Sequence, residues 1–251
     1  MSGHSKWSTI KHKKGATDAK RGKIFTRLAR EIALAARESG GDPVINFQLR
    51  LAIERARAQN MPKDNIERSI KRGTGEGKDA EALEEVTYEG YASHGVALMI
   101  ECVTENRNRT VAEVRHVLNR MGGSMGESGS VMWQFTRSTY FAIPAEGVDF
   151  DEVFELAVEG GADDITEDAE TIEISGATGS FKTLSDSLHA ANIIPDEAGL
   201  RMIPKQEISL GTSDTLKVLR TIEDLEDLDD VQNVYSNLHI SEEALIVLES
   251  A

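Results

Sequence analysis

A chain of 251 residues, 39% apolar and 28% charged, can bury a substantial core and exceeds the usual size of one domain, so two or three are expected. It holds no run approaching the ~20 apolar residues of a membrane span and no apolar leader. Its single cysteine, Cys102, excludes an intramolecular disulfide and a cysteine-based zinc site, and the expected setting is a reducing, cytoplasmic one without membrane contact.

The net charge of −15 is unevenly divided. Residues 1–78 carry 18 Lys+Arg against 8 Asp+Glu (+10), and residues 79–251 carry 10 against 35 (−25). An acidic body repels phosphate, whereas a basic head on it attracts phosphate and orients the molecule. The head opens with a polar arm, Ser2–Thr17, in which Lys6, Lys11, Lys13 and Lys14 are mixed with His4, His12 and Trp7. That mixture suits phosphate contacts with stacking or polar contacts beside them. From Asp18 the apolar residues take up a helical period. Ile24, Phe25, Leu28, Ile32, Ala35 and Ala36 gather on one side; Lys20, Lys23, Arg27, Arg30 and Arg37 gather on the other, with Leu34 misplaced among them. Such a row is commonly just a solvated face. Arg21, the row and the arm together make up the predicted nucleic-acid-binding set.

Ser39-Gly40-Gly41 ends this helix, and Asp42-Pro43 predicts the start of a second, with Ile45, Leu49, Ala52, Ile53 and Ala56 on its apolar face. Pro62 opens a third, Lys63–Lys71, completing a small bundle. The glycines of Gly73–Asp79 invite comparison with a phosphate-binding loop, but Asp79 follows Lys78 where Ser or Thr is required, and a helix precedes. The segment reads as a hinge.

Strands follow: Val86–Tyr88, then Val96–Thr104, apolar enough to be buried on both faces. A helix carries Val111, Val114, Val117, Leu118 and Met121. The glycine-rich segment Gly122–Ser130 reads as a mobile turn, or as a probe loop comprising Met121, Gly122, Gly123, Ser124, Met125 and Gly126. Residues 131–204 parse as βαββαβ, the ferredoxin-like order. The tail (a short strand, helix 212–225, a strand at 231–235 and a short capped segment) lacks the elements of a separate domain and is expected to complete residues 79–130. The predicted fold is therefore multidomain, α and α+β: a basic arm with a three-helix bundle (1–78), a discontinuous α+β domain (79–130 plus 205–251), and a ferredoxin-like domain (131–204) inserted in it.

No nucleophile–base pair, metal-ligand spacing or nucleotide motif emerges, so no catalytic residue, metal or cofactor is assigned. The acidic clusters Asp163, Asp164, Glu167, Asp168 and Glu223–Asp230 lack calcium-loop spacing and read as solvated. Cys102 reads as a core residue.

The stretch GHSKWSTIKHKKGATDAKRGKIFTRLAREI, continued by QNMPKDNIERSIKRGTG, YEGY, NRNRT and GGSMGESGSVMWQF, resembles the YebC/PmpR family. This family includes probable transcriptional regulators and mitochondrial translational activators of cytochrome oxidase subunit one. The resemblance implies the same three-domain arrangement. It also implies either DNA-binding regulation of transcription or ribosome association that relieves stalling at proline-rich stretches. The resulting expectation is a non-enzymatic nucleic-acid-binding regulator of gene expression whose partner is promoter DNA or ribosomal RNA. The alternative is an acidic protein-interaction scaffold tethered to nucleic acid by its basic head.

Overall fold

The computed structural model describes Trp7, residues 18–76 and residues 83–250. Its helical head comprises α1 (Asp18–Ser39), α2 (Phe47–Ala58) and α3 (Lys63–Gly73). Leu28, Ile32, Ala35 and Ala36 of α1 close on Leu49, Ala52, Ile53 and Ala56 of α2, with Met61 and Ile66 completing the core. Helix α2 begins later than expected. Asn46 is its N-cap, accepting from the Leu49 amide at 3.0 Å while its own amide donates to the Ala35 and Gly40 carbonyls. Asp42 instead caps a turn, and Ile45, expected on the apolar face, stands 81% exposed. Gly73 ends α3 against α1: a Cβ there would lie 2.1 Å from the Ala33 carbonyl oxygen. The start of the predicted hinge is thus a packing position, and Gly77–Asp79 lie outside the described residues.

Beyond the head, β1 (Glu84–Tyr91), β2 (Ala97–Thr104), α4 (Arg107–Arg120) and β3 (Ser124–Met125) lead into a second unit. That unit contains β4 (Phe135–Pro144), α5 (Phe150–Glu159), β5 (Ala162–Glu167), β6 (Thr171–Ala177), α6 (Phe181–Ala190) and β7 (Glu197–Pro204). The chain then returns through β8 (Ile208–Ser209), α7 (Thr212–Glu226), β9 (Val231–Ser236), β10 (Leu238–His239) and α8 (Glu242–Ser250). The sheet orders are β3-β1-β2-β9 and β5-β6-β4-β7, with β8 and β10 paired separately. Strand β9 from the tail pairs antiparallel with β2, so the first sheet is completed across the insertion. The second sheet is antiparallel throughout and has the strand order of a ferredoxin-like βαββαβ unit, as the sequence predicts.

Strand β2 is buried on both faces, which accounts for its unbroken apolar run. Leu98, Ile100 and Cys102 face the core formed with α4, α7 and α8, while Ala97 and Met99 face Val131 and Phe135. Val103 meets Ala33 and Leu83, with Leu34 packed alongside. Leu34, which spoils a single apolar stripe on α1, therefore serves a second interface, with the body. Burial pushes the Cys102 thiol up to about 12, as befits an inert core residue.

Candidate nucleic-acid interface

The predicted binding set divides into three groups. His4, Lys6, Lys11, His12, Lys13 and Lys14 lie outside the described residues, as do the side chains of Lys20 and Arg21. Trp7 is 7% exposed and packs in the core of the first sheet with Val96, Leu98 and Val218. This corrects its assignment as a stacking residue, because an indole sunk among apolar side chains has no face left for a base.

The third group, the α1 row, is drawn into the protein. Arg30 bonds Asp230 at 2.8 Å and also donates to the Asp229 carbonyl. Asp230 is 1% exposed and additionally receives Arg109 (2.8 and 3.0 Å), Thr110 (2.7 Å) and Thr104 (3.1 Å). Burial alone would raise its pKa; the hydrogen bonds from Arg109 and Thr110, the Arg30 charge and Thr104 together lower it. Arg37 donates to the Leu83 carbonyl and pairs with Glu85 at 3.5 Å. Arg27 lies half-buried near Glu31, Glu197 and Arg55, and desolvation lowers its pKa despite the two carboxylates. Arg55 bridges Glu31 at 2.7 Å and the Ala198 carbonyl, and Arg72 pairs with Glu105. Lys23, 48% exposed and 3.5 Å from Asp227, and Arg37, 42% exposed, keep the most contact with water among the described cations of the row. The row therefore docks the head on the acidic body. The sequence offered a signal for this: seven of the nine positions Leu28–Ala36 are apolar, Arg30 and Glu31 being the two exceptions, too many for a helix with one wet face.

The glycine-rich segment is fixed. Met121 and Met125 pack on the core of the first sheet, and β3 pairs with β1 through Gly90↔Met125 and Tyr91↔Ser124. At Gly123 a Cβ would fall 2.3 Å from the Tyr91 carbonyl oxygen. The Glu89 carboxylate, 4% exposed, accepts the amides of Gly129 (2.6 Å), Val131 (2.6 Å) and Met132 (2.8 Å). Burial opposes its ionisation, but these three N–H groups outweigh burial and lower its pKa. Where the sequence predicts a mobile turn or a probe loop, Glu89 staples the segment and its two methionines pack on the core. The segment exposes Gly122, Ser124 and Glu127–Gly129, and just after it Met132 and Trp133 stand 48% and 67% exposed, residues absent from the predicted site.

The acidic clusters behave as ordinary structure. Asp168 accepts the Glu170 and Thr171 amides at 2.9 Å in a turn, and Asp224 pairs with Arg120 at 2.6 Å. Among the described residues no group of three His, Cys, Asp or Glu is arranged to hold a metal ion, and no helix is long and apolar enough to cross a membrane.

Two family models match the chain: the TACO1/YebC N-terminal domain over residues 5–76, and the TACO1/YebC second and third domain over residues 83–238. A protein of Geotalea uraniireducens named "Probable transcriptional regulatory protein" is 51% identical over 245 residues, 98% of each chain. A protein of the same name from Acidithiobacillus ferrooxidans is 51% identical over 250 residues, covering 100% of this chain and 99% of its own. The crystal structure of a conserved hypothetical protein from Aquifex aeolicus superposes with a TM-score of 0.81 at 42% identity, over 90% of this chain and 93% of that one.

Proposed function

The chain belongs to the TACO1/YebC family, and on that premise we propose that it is a non-enzymatic, nucleic-acid-binding regulator of gene expression whose basic head grips phosphate backbone. The supporting observation is the charge split after docking. The described cations of α1 are largely spent on body carboxylates, whereas the arm before Asp18 carries Lys6, Lys11, Lys13 and Lys14 with no acidic residue among them. The arm is thus the part of the head whose composition best suits phosphate. The names of the relatives support a role in gene regulation.

The mode of binding is backbone recognition. A DNA-reading helix brings side chains such as Asn, Gln or Arg to base edges near its start. Helix α2 offers Asn46, Gln48 and Arg50 at its start, but Asn46 is 2% exposed and spent on capping and Leu49 is core, which leaves Gln48 and Arg50 exposed. So short a set of base-reading side chains suits a target recognised by shape and charge, such as folded ribosomal RNA, better than a sequence-read operator.

The test compares the wild-type protein with K11E/K13E/K14E, which spares every docking contact described above. On gradient sedimentation of lysate, the wild type is expected to travel with ribosomal particles, and the variant and high-salt samples to remain at the top. A wild type that stays at the top yet binds promoter fragments with salt-sensitive affinity identifies DNA as the target. Failure to bind either nucleic acid refutes the reading.

A further inference from the structure

Trp133 is the most exposed aromatic ring among the described residues' large apolar side chains, at 67%. It is nevertheless held from several directions. Its indole N–H donates to the Ser130 carbonyl at 2.9 Å, and the Tyr91 hydroxyl donates to that same carbonyl at 3.1 Å. The Lys205 ammonium caps the Trp133 carbonyl at 2.8 Å, and the Lys205 amide donates to the Gln134 carbonyl at 2.8 Å. Upstream lies the Glu89 staple; Val131 and Phe135, on either side, are buried. A large ring fixed in place without being covered has already lost its freedom of motion, which lowers the cost of binding something flat.

A cation free of carboxylates stands beside it. Of the ten Lys and Arg in residues 79–251, Arg107, Arg109, Arg120, Lys182, Arg201 and Lys217 form ion pairs with carboxylates. Arg115, Arg137, Lys205 and Arg220 form none among the described residues; of these four, Lys205 is the one bonded to the Trp133 segment, while Arg137 on β4 lies in the field of Glu85. Glu207, two residues beyond Lys205, is turned to His239 at 2.9 Å. Lys205 has three N–H donors, of which the Trp133 carbonyl takes one.

We propose that Trp133 is a stacking platform for an unpaired nucleobase, with Lys205 holding a flanking phosphate. The inference rests on the nucleic-acid reading above and adds a second point of attachment, on the body. An exposed, fixed ring with a cation at its side matches single-strand recognition, in which any base offers a π-face and the backbone supplies the charge.

Trp133 supplies its own reporter, because the other tryptophan, Trp7, is buried. The protein is titrated with a short oligouridylate and with an abasic oligomer of equal length and charge. The wild type is expected to bind the oligouridylate roughly 5- to 150-fold more tightly than the abasic oligomer, the range of one to three kcal/mol per stacked base, with quenching of tryptophan emission. W133A is expected to bind both oligomers alike, and W133F to recover most of the difference. Equal wild-type affinity for the two oligomers overturns the stacking site while leaving phosphate binding by the arm in place, and needs no variant. Absence of binding to either overturns both. Quenching by a proline-rich peptide in place of the oligouridylate would assign the ring to a protein ligand and overturn the proposal.

Discussion

Asp230 joins the head to the body through one carboxylate. Two arginines from distant segments share it, and the hydroxyls of Thr104 and Thr110 fill its remaining acceptor sites. A buried anion so fully partnered is costly to remove, because Arg30, itself only 11% exposed, would be left as an uncompensated charge. D230N is expected to lower stability at neutral pH by about 3–5 kcal/mol. The lowered pKa sets the sign of the pH dependence. The stabilisation is complete above the unfolded aspartate value of about 3.9 and is lost as pH falls through the lower folded value. Urea unfolding of the two proteins over a pH series should therefore give a constant gap from pH 7 to about 5 that narrows in stronger acid. A gap of the same size at pH 7 and well below the folded value would refute this assignment. Nothing local in the sequence marks Asp230 out from its acidic neighbours. Its burial depends on Arg109, 121 residues away, and on a helix from the other end of the chain.

The segments that were hardest to read are those with two jobs. Helix α1 was legible as amphipathic because Leu28, Ile32 and Ala35 keep the helical period that packs the bundle. Its opposite face looked like a solvated cationic row because periodicity distinguishes apolar from polar positions, not wet arginines from docked ones. The second sheet was legible almost element by element, since short alternating strands and periodic helices carry their own signals. The glycine-rich segment was not. Glycine marks freedom in an isolated chain, but at Gly123 it marks close approach to the Tyr91 backbone. The residue that fixes the segment, Glu89, sits 40 positions upstream of Gly129. E89Q places an amide donor where three amide donors converge, and should cost about 1–3 kcal/mol locally. Amide exchange at Gly129, Val131 and Met132 is expected to quicken roughly 5- to 150-fold, with exchange in α6 unchanged. In the wild type the same amides should lose protection only in acid, below about 4.3, because the Glu89 pKa is lowered in the fold. Unaltered exchange in E89Q would mean that β3 pairing alone holds the loop.

Across the whole molecule, the acidic body already has a basic partner, its own head. Asp230, Asp227, Glu85 and Glu105 each pair with a cation of residues 18–76. This gives the charge split two uses that respond differently to salt. The central pair is buried and little screened, whereas contacts between an arm and phosphate lie in water and release counterions. If the arm neutralises about four phosphates, affinity should fall roughly 50- to 150-fold between 50 and 200 mM salt, less steeply for single strands than for duplex. Over the same range the melting temperature of the free protein should scarcely move, since the exposed pair Lys23–Asp227 contributes little. Binding and thermal unfolding measured on one salt series separate the two uses. A melting temperature that falls in step with affinity would mean that salt releases the head from the body, so that the cations binding nucleic acid are the docking arginines themselves. Steady melting with steeply falling affinity places the binding charge on groups that the fold leaves available.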